Sequence, residues 1–242
     1  MKNIKLLLEQ QLAEDYNCTL SEVQSNSHII KETALNPKAR PVADEGCLLK
    51  IACYNEKLLV SADKSLLDWC RATFSDANAV WFSEPQNLVM INEKLKEHGQ
   101  CLQDIHHYYV PDGRISIPEK RFDEVWYEGD EIRIFEGDRR FGEAVLFDEK
   151  TPDMLAVTIV EDGEILGMAG ATADCEDLWQ LGINVTEKGR GRGVGAYAVE
   201  LLKNRVLEMG KIPFYGTVES HIKSQKVAVK AGFLPAFLEM HS

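Results

Sequence analysis

Residues 177–195 read DLWQLGINVTEKGRGRGVG, and the succession of patterns inside them decides the fold. Leu178, Gln180, Gly182 and Asn184 alternate with Trp179, Leu181, Ile183 and Val185. A period of two with one apolar side predicts a strand over 178–185. A glycine-dense loop follows, carrying Lys188, Arg190 and Arg192. Val194, Ala198, Leu201 and Leu202 then recur at helical spacing until Gly210, which predicts an amphipathic helix with a glycine stop. The order is strand, cationic loop, helix N-terminus. Glycine removes the Cβ atoms that would keep an anion away from backbone N–H groups, and a helix N-terminus aims free N–H groups and the positive dipole end at the same point. The stretch reads as a phosphate cradle.

Two phosphate motifs compete with this reading at first sight. The Walker A spacing is absent. Gly191, Gly193 and Ala196 do satisfy the dinucleotide fingerprint, and Glu219 stands where a ribose-binding acid could lie. That motif, however, turns directly out of its strand, whereas Thr186–Arg190 intervene here, and too little chain follows Glu219 for the remaining βα units.

The run Arg190-Gly191-Arg192-Gly193-Val194-Gly195 resembles the Arg/Gln-x-x-Gly-x-Gly/Ala loop of the GNAT superfamily of N-acetyltransferases, with Glu187 where those enzymes usually carry proline. The resemblance spans about residues 123–242. It includes a hairpin signal at Glu161-Asp162-Gly163-Glu164 between strands at 155–160 and 165–171, a strand at 212–218, a helix ending near Ala231, the Gly232-Phe233 pair that closes it, and a last strand at 233–239. In detail Gly167-Met168-Ala169-Gly170, Trp179-Gln180, Pro213-Phe214-Tyr215 and Ser224-Gln225 are similar to the bacterial subfamily that includes self-resistance acetyltransferases of the zwittermicin A type. The resemblance implies acetyl-CoA as cosubstrate, with Arg190, Gly191, Arg192, Gly193, Val194, Gly195 and Ala196 at its pyrophosphate and the backbone of Ile183 and Val185 at its thioester. The implied reaction moves acetyl to the primary amine of a small molecule.

An amine of pKa near 10 is protonated at pH 7, and freeing its lone pair costs about 4 kcal/mol. Acetyl transfer therefore calls for a proton acceptor, donors toward the thioester oxygen and an acid for the leaving thiolate. Glu219 and Asp174 are the candidate bases. The family's last helix usually has an Asn and, seven residues later, an acidic Tyr; His221 and Ala228 occupy those positions. His221 or Tyr215 is left to supply the acid. Each of these also has a plain reading as a solvated strand end or a packed side chain, and so do Trp179 and Tyr197 as core. The missing Tyr keeps open a different class, a non-catalytic acyl-CoA-binding regulatory module.

A formal charge of −12 excludes a general nucleic-acid binder and makes Lys188, Arg190 and Arg192 a local basic island. An acidic surface suits a cationic amine, or merely solubility. Cys18, Cys47, Cys53, Cys70, Cys101 and Cys175 show no metal or CxxC spacing, and His106 and His107 fall on opposite faces of a predicted strand, so no metal is expected. The cysteines read as reduced, mostly buried thiols of a cytoplasmic protein. No apolar run approaches a membrane span and no signal h-region opens the chain.

The first half predicts a helix around Ile4–Leu12, a polar and uninformative segment from 17 to 46, and a hairpin of 48–52 with 57–61. After it come a helix with Leu66, Leu67, Cys70 and Phe74, a short strand at 79–82, a helix with Leu88, Ile91 and Leu95, and a strand at 104–110. Its β-α order matches that of the second half, so a degenerate GNAT-like half is expected. Polar residues from Pro111 to Pro118 form the connection, giving domains 1–118 (structural and acceptor side) and 119–242 (GNAT) in an α/β protein with a mixed sheet. Between Asp123 and Asp153 there is room for one strand at Ile132 and Ile134 and little more, so the acceptor wall is expected from the N-terminal half or from the second subunit of a homodimer.

Overall fold

The computed structural model describes residues 3–41, 46–114 and 118–242; residues 115–117 of the expected connection fall outside this set. In chain order the first elements are α1 (Ile4–Asp15), α2 (Leu20–Gln24), β1 (Ile29–Glu32), β2 (Leu49–Tyr54), β3 (Lys57–Ala62), α3 (Lys64–Phe74), α4 (Pro85–Lys96) and β4 (Asp104–Pro111). There follow β5 (Asp123–Glu128), β6 (Asp153–Glu161), β7 (Glu164–Ala173), β8 (Leu178–Val185), α5 (Val194–Glu208), β9 (Ile212–Val218), α6 (Ile222–Lys230) and β10 (Phe233–His241). Two compact units emerge among the described residues: Lys5–Tyr108 with Ala236–Ser242, and Tyr109–Pro235 with Asn3 and Ile4.

In the first unit the sheet runs β1-β3-β2-β10. The hairpin of β2 and β3 closes through Asn55 and Glu56 at φ 46° and 60°, a turn whose twist matches that of the strands. Asp63 caps α3 by accepting the Ser65 N–H, and Leu66, Leu67, Cys70 and Phe74 turn inward at helical spacing. They meet Leu49, Ile51, Leu58 and Val60 of the hairpin and Leu238 and Met240 of β10 in one core. Burying each such side chain is worth about 1.5–3 kcal/mol.

One expectation for this half is corrected. Ala79–Trp81 is a 3-10 turn, because the Asn78 side chain accepts the Val80 N–H and winds the chain before it can extend. The element order that made the first half resemble the second is therefore not reproduced. The segment 17–46, uninformative by periodicity, holds α2 behind a Thr19/Glu22 capping box and β1, which pairs parallel with β3. The six cysteines are free thiols; Cys70 is buried, Cys101 exposed and the other four half-buried.

In the second unit the strands run β9-β8-β7-β6-β5. β6 and β7 turn at Asp162 and Gly163, with φ 51° and 77°, as the hairpin signal predicts. On one face α5 packs Val194, Tyr197, Ala198 and Leu202 against Trp179 and Leu181 of β8 and against Leu155, Val157 and Ile159 of β6. On the other face Ile132, Phe135, Phe141, Ala144 and Val145 cover Ala156 and Met168. The strand expected at Ile132 and Ile134 is instead a 3-10 helix, Gly129–Phe135, with a second at Arg139–Phe141. Acidic residues at Glu128 and Glu131 cap its start, and the extended stretch lies earlier, at β5. Among the described residues no helix is long and apolar enough to cross a membrane, and no cluster of His, Cys, Asp and Glu could hold a metal ion.

Candidate functional site

β8 carries the site because its two neighbours treat it differently. Toward β7 it is paired along its length, from Trp179 with Ala173 to Val185 with Gly167. Toward β9 the parallel register holds Leu178, Trp179 and Gln180 against Ile212, Pro213 and Phe214 and goes no further. Past Gln180 the strands part. Thr186 donates its N–H to the Leu166 carbonyl at 2.9 Å, which fixes the phase of the antiparallel ladder. Residues 180, 182 and 184 bond toward β7, and residues 181, 183 and 185 turn their N–H and C=O toward β9. The Ile212 N–H, bonded to the Asp177 carbonyl at 2.8 Å, confirms that parity. Ile183 and Val185 thus present backbone donors and acceptors to the gap, and both are half-buried.

The chain leaves this open end of β8 through a 3-10 turn, Glu187–Gly189, and enters α5 at Gly193. Gly191 and Gly193 take φ of 76° and 81°, which glycine adopts without a Cβ clash. Gly193 is the N-cap of α5 and offers no side-chain acceptor, so the N–H groups of Val194, Gly195 and Ala196 point out of the helix end without a capping bond. Val194 puts its side chain in the core, and Gly195 lets α5 approach β8: a Cβ there would sit 3.2 Å from a Val185 methyl and 3.8 Å from Ile183. Only the backbone of these two faces the cradle.

The charges around the loop are partly committed. Lys188 pairs with Glu164, and Arg192 with Glu161 at 2.6 Å. The Arg192 hydrogen bond holds the Glu161 carboxyl below the usual carboxylate range. Arg190 is exposed. A further cation comes from outside the loop: Arg121 lies over the rings of Phe122 and Tyr197 at 5.9 and 5.4 Å, and Arg192 over Phe122 at 5.5 Å. A Cβ built on Gly193 would lie 3.5 Å from Arg121 Nη1. The guanidinium therefore stands at the glycine helix end, where an anion bound there would meet it. Nothing in the sequence around Arg121 signals this placement.

The four candidate catalysts are not gathered at one point. Tyr215 follows the last β8–β9 pair and sits beside the gap, 2% exposed. Its hydroxyl shares a 2.8 Å hydrogen bond with Ser224 of α6. Burial raises its pKa; the Ser224 bond lowers it, and the charge of Glu143 raises it further. Glu219 and His221 are exposed beyond the end of β9, where Gln225 donates to the Glu219 carbonyl at 2.7 Å and α6 begins. Asp174 accepts from Thr172 at 2.7 Å and lies just past β7, level with the start of β8. At about 3.3 Å per strand residue that is roughly 16 Å from Ile183. Ala228, in place of the Tyr of related enzymes, is fully buried and brings no proton.

The face of β8 opposite α5 holds a contact that the sequence reading missed. Gly170 and Gly182 pair across β7 and β8, and a Cβ on them would collide with the Ala144 and Glu143 carbonyls. Asn184 Oδ1 accepts both the Glu143 and Ala144 N–H groups at 2.8 Å. Glycine inside a strand signals a close backbone approach, and that signal was available at both positions.

The acetyltransferase (GNAT) family model matches residues 102–233, more than half of the chain. No curated protein matches it by sequence. Among solved structures it is similar to a GNAT-family protein from Novosphingobium aromaticivorans, at 14% identity and TM-score 0.44, over 58% of this chain and 65% of that one. A GNAT acetyltransferase from Colwellia psychrerythraea gives 16% and 0.45, over 59% of this chain and 56% of that one. The chain thus spans less than two thirds of the length of either. A Drosophila protein gives 14% and 0.46, over 98% of this chain and 88% of that one.

Proposed function

The chain belongs to the acetyltransferase (GNAT) family, and from that premise we propose that it transfers acetyl from acetyl-CoA to the primary amine of a small molecule. The observation that carries the reading is the parting of β9 from β8 after Gln180, directly before a glycine loop and an uncapped helix N-terminus. A thioester in the gap would lie beside the backbone of Ile183 and Val185, where preorganised N–H groups can stabilise negative charge developing on its oxygen. The pyrophosphate would rest on the N–H groups of residues 191–196, with Arg190, Arg192 and Arg121 supplying charge.

In this reading Tyr215, held by Ser224, is the proton-bearing group nearest the gap, and its raised pKa keeps the phenol protonated as a hydrogen-bond donor. Glu219 and His221, exposed at the outer end of the gap, meet the acceptor or the pantetheine arm rather than the reacting carbon. Asp174 is left with a structural role beside Thr172. Residues 1–118 serve a structural, acceptor-side purpose in the same proposal. The setting is cytoplasmic.

Ala228 favours a second reading, an acyl-CoA-binding regulatory module without turnover. Calorimetric titration with CoA and acetyl-CoA, together with thiol release over a panel of primary amines, decides between them. Binding with turnover supports the enzyme, and binding without thiol release from any amine supports the module. Absence of binding overturns both.

A further inference from the structure

Glu143 stands apart from the residues around it. Phe141, Ala144 and Val145 are buried to 3% exposure or less, while the Glu143 side chain is exposed. Its backbone is fixed at a specific place: its N–H is held by Asn184 and its carbonyl fills the space above Gly182. Gly182 and Asn184 belong to the part of β8 that β9 has left, since the β8–β9 register stops at Gln180. The Glu143 carboxylate also lies within electrostatic range of the Tyr215 hydroxyl, on the other strand of the gap. A built platform of two glycines and one asparagine amide therefore positions a single carboxylate beside the opening between β8 and β9, on the face away from α5.

Resting on the acetyl-transfer reading above, we propose that Glu143 carries the reaction proton from the acceptor nitrogen to the leaving sulfur, and that its charge draws a cationic amine to this face of the sheet. The ammonium loses one proton to water on entering the gap. The freed lone pair forms the C–N bond at the thioester carbon while the carbonyl π pair moves to oxygen. The nitrogen, now positive, gives a proton to a Glu143 carboxylate oxygen. The C=O bond re-forms, the C–S bond breaks with its electron pair on sulfur, and the proton on Glu143 passes to that thiolate. Amine and thioester become amide and thiol, and Glu143 ends as it began. A carboxylic acid protonates a thiolate downhill, so the step needs no Tyr at position 228.

The test uses the full chain and two acceptors of one carbon skeleton: the best primary alkylamine of the panel, charged at neutral pH, and the matching hydrazide, which is neutral there. Glu143→Gln keeps the backbone bonds to Asn184 and removes only the basic oxygen. It should lower kcat/KM for the alkylamine by about 100-fold or more and for the hydrazide by about tenfold, since both nitrogens must pass a proton to sulfur but only the alkylamine also loses the attraction of its charge, and leave CoA affinity and thermal midpoint unchanged. Alkylamine transfer within about threefold of wild type would overturn the proposal, as would a hydrazide rate left within about threefold or a loss no larger for the alkylamine than for the hydrazide. Glu143→Asp, which keeps the charge, should recover part of the alkylamine rate; a variant no better than Gln counts against the proton role. If the unaltered protein binds CoA yet releases thiol with no amine, the acetyl-transfer reading itself has failed, a result separate from any result with the variants.

Discussion

Replacing Gly193 by Ala isolates the cradle from ordinary folding effects. Gly193 sits at φ 81° and ψ 7°, and Gly191 at φ 76°, so an alanine at either position meets the same left-handed strain. That strain is about 1–2 kcal/mol. The surroundings differ: a Cβ on Gly191 meets nothing within 4 Å, whereas one on Gly193 meets the Arg121 guanidinium at 3.5 and 3.7 Å. The free protein can relieve the strain at Gly193 by turning the residue out of the left-handed region, which swings the Val194 and Gly195 N–H groups off the anion's position. Binding must then restore the strained form, so affinity falls by up to the same 1–2 kcal/mol, about 5- to 30-fold. Gly193→Ala is expected to lose CoA affinity in that range, and Gly191→Ala less, with both thermal midpoints measured beside calorimetric titration to apportion the strain. Unchanged affinity and unchanged midpoint in Gly193→Ala would refute the cradle, because the strain would then appear nowhere.

Glu161→Gln should release Arg192 from its 2.6 Å pair and tighten CoA binding roughly twofold to fivefold at low salt, an effect that titration at raised ionic strength should erase. Arg40→Ala should destabilise the Lys5–Tyr108 unit by about 3–5 kcal/mol in urea, because it strands two buried carboxylates. Those are Asp15 at 2.6 Å and Glu239 at 2.9 Å, each at most 3% exposed. Burial pushes the Cys53 and Cys70 thiols from 9 up to about 12. Below the lower value both states keep the proton and stability is unaffected; above it only the unfolded chain ionises, so stability should fall as pH rises toward the upper value. The urea midpoint over that range checks this, and Cys53→Ala with Cys70→Ala should flatten part of the slope.

Much of the second unit was legible because its signals are local. Alternation set β8, a glycine after a periodic run set the end of α5, and an Asp-Gly pair set the turn between β6 and β7, each within a few residues of the backbone it governs. Where local signals were weak or doubled, the reading failed. Ala79–Trp81 has strand-like residues but an Asn cap before them, and Ile132 and Ile134 alternate inside a 3-10 helix fixed by acidic caps. β1 lacks a period because its burial comes from pairing with β3, the second strand of the hairpin that follows it in the chain.

Residues 187–196 encode the chemistry of the cradle within themselves: closely spaced glycines, cations beside them and a helix start without a capping side chain. Tertiary structure alone decided where β9 leaves β8, since a strand's residues do not encode how far its neighbour follows it. It also decided that Arg121 reaches Gly193 and that Glu143 rests on Gly182, contacts across some 40 to 70 residues of chain. Hydrogen-bond parity and close packing create such neighbours only after the sheet has formed, so the composition of either segment carries no trace of the other.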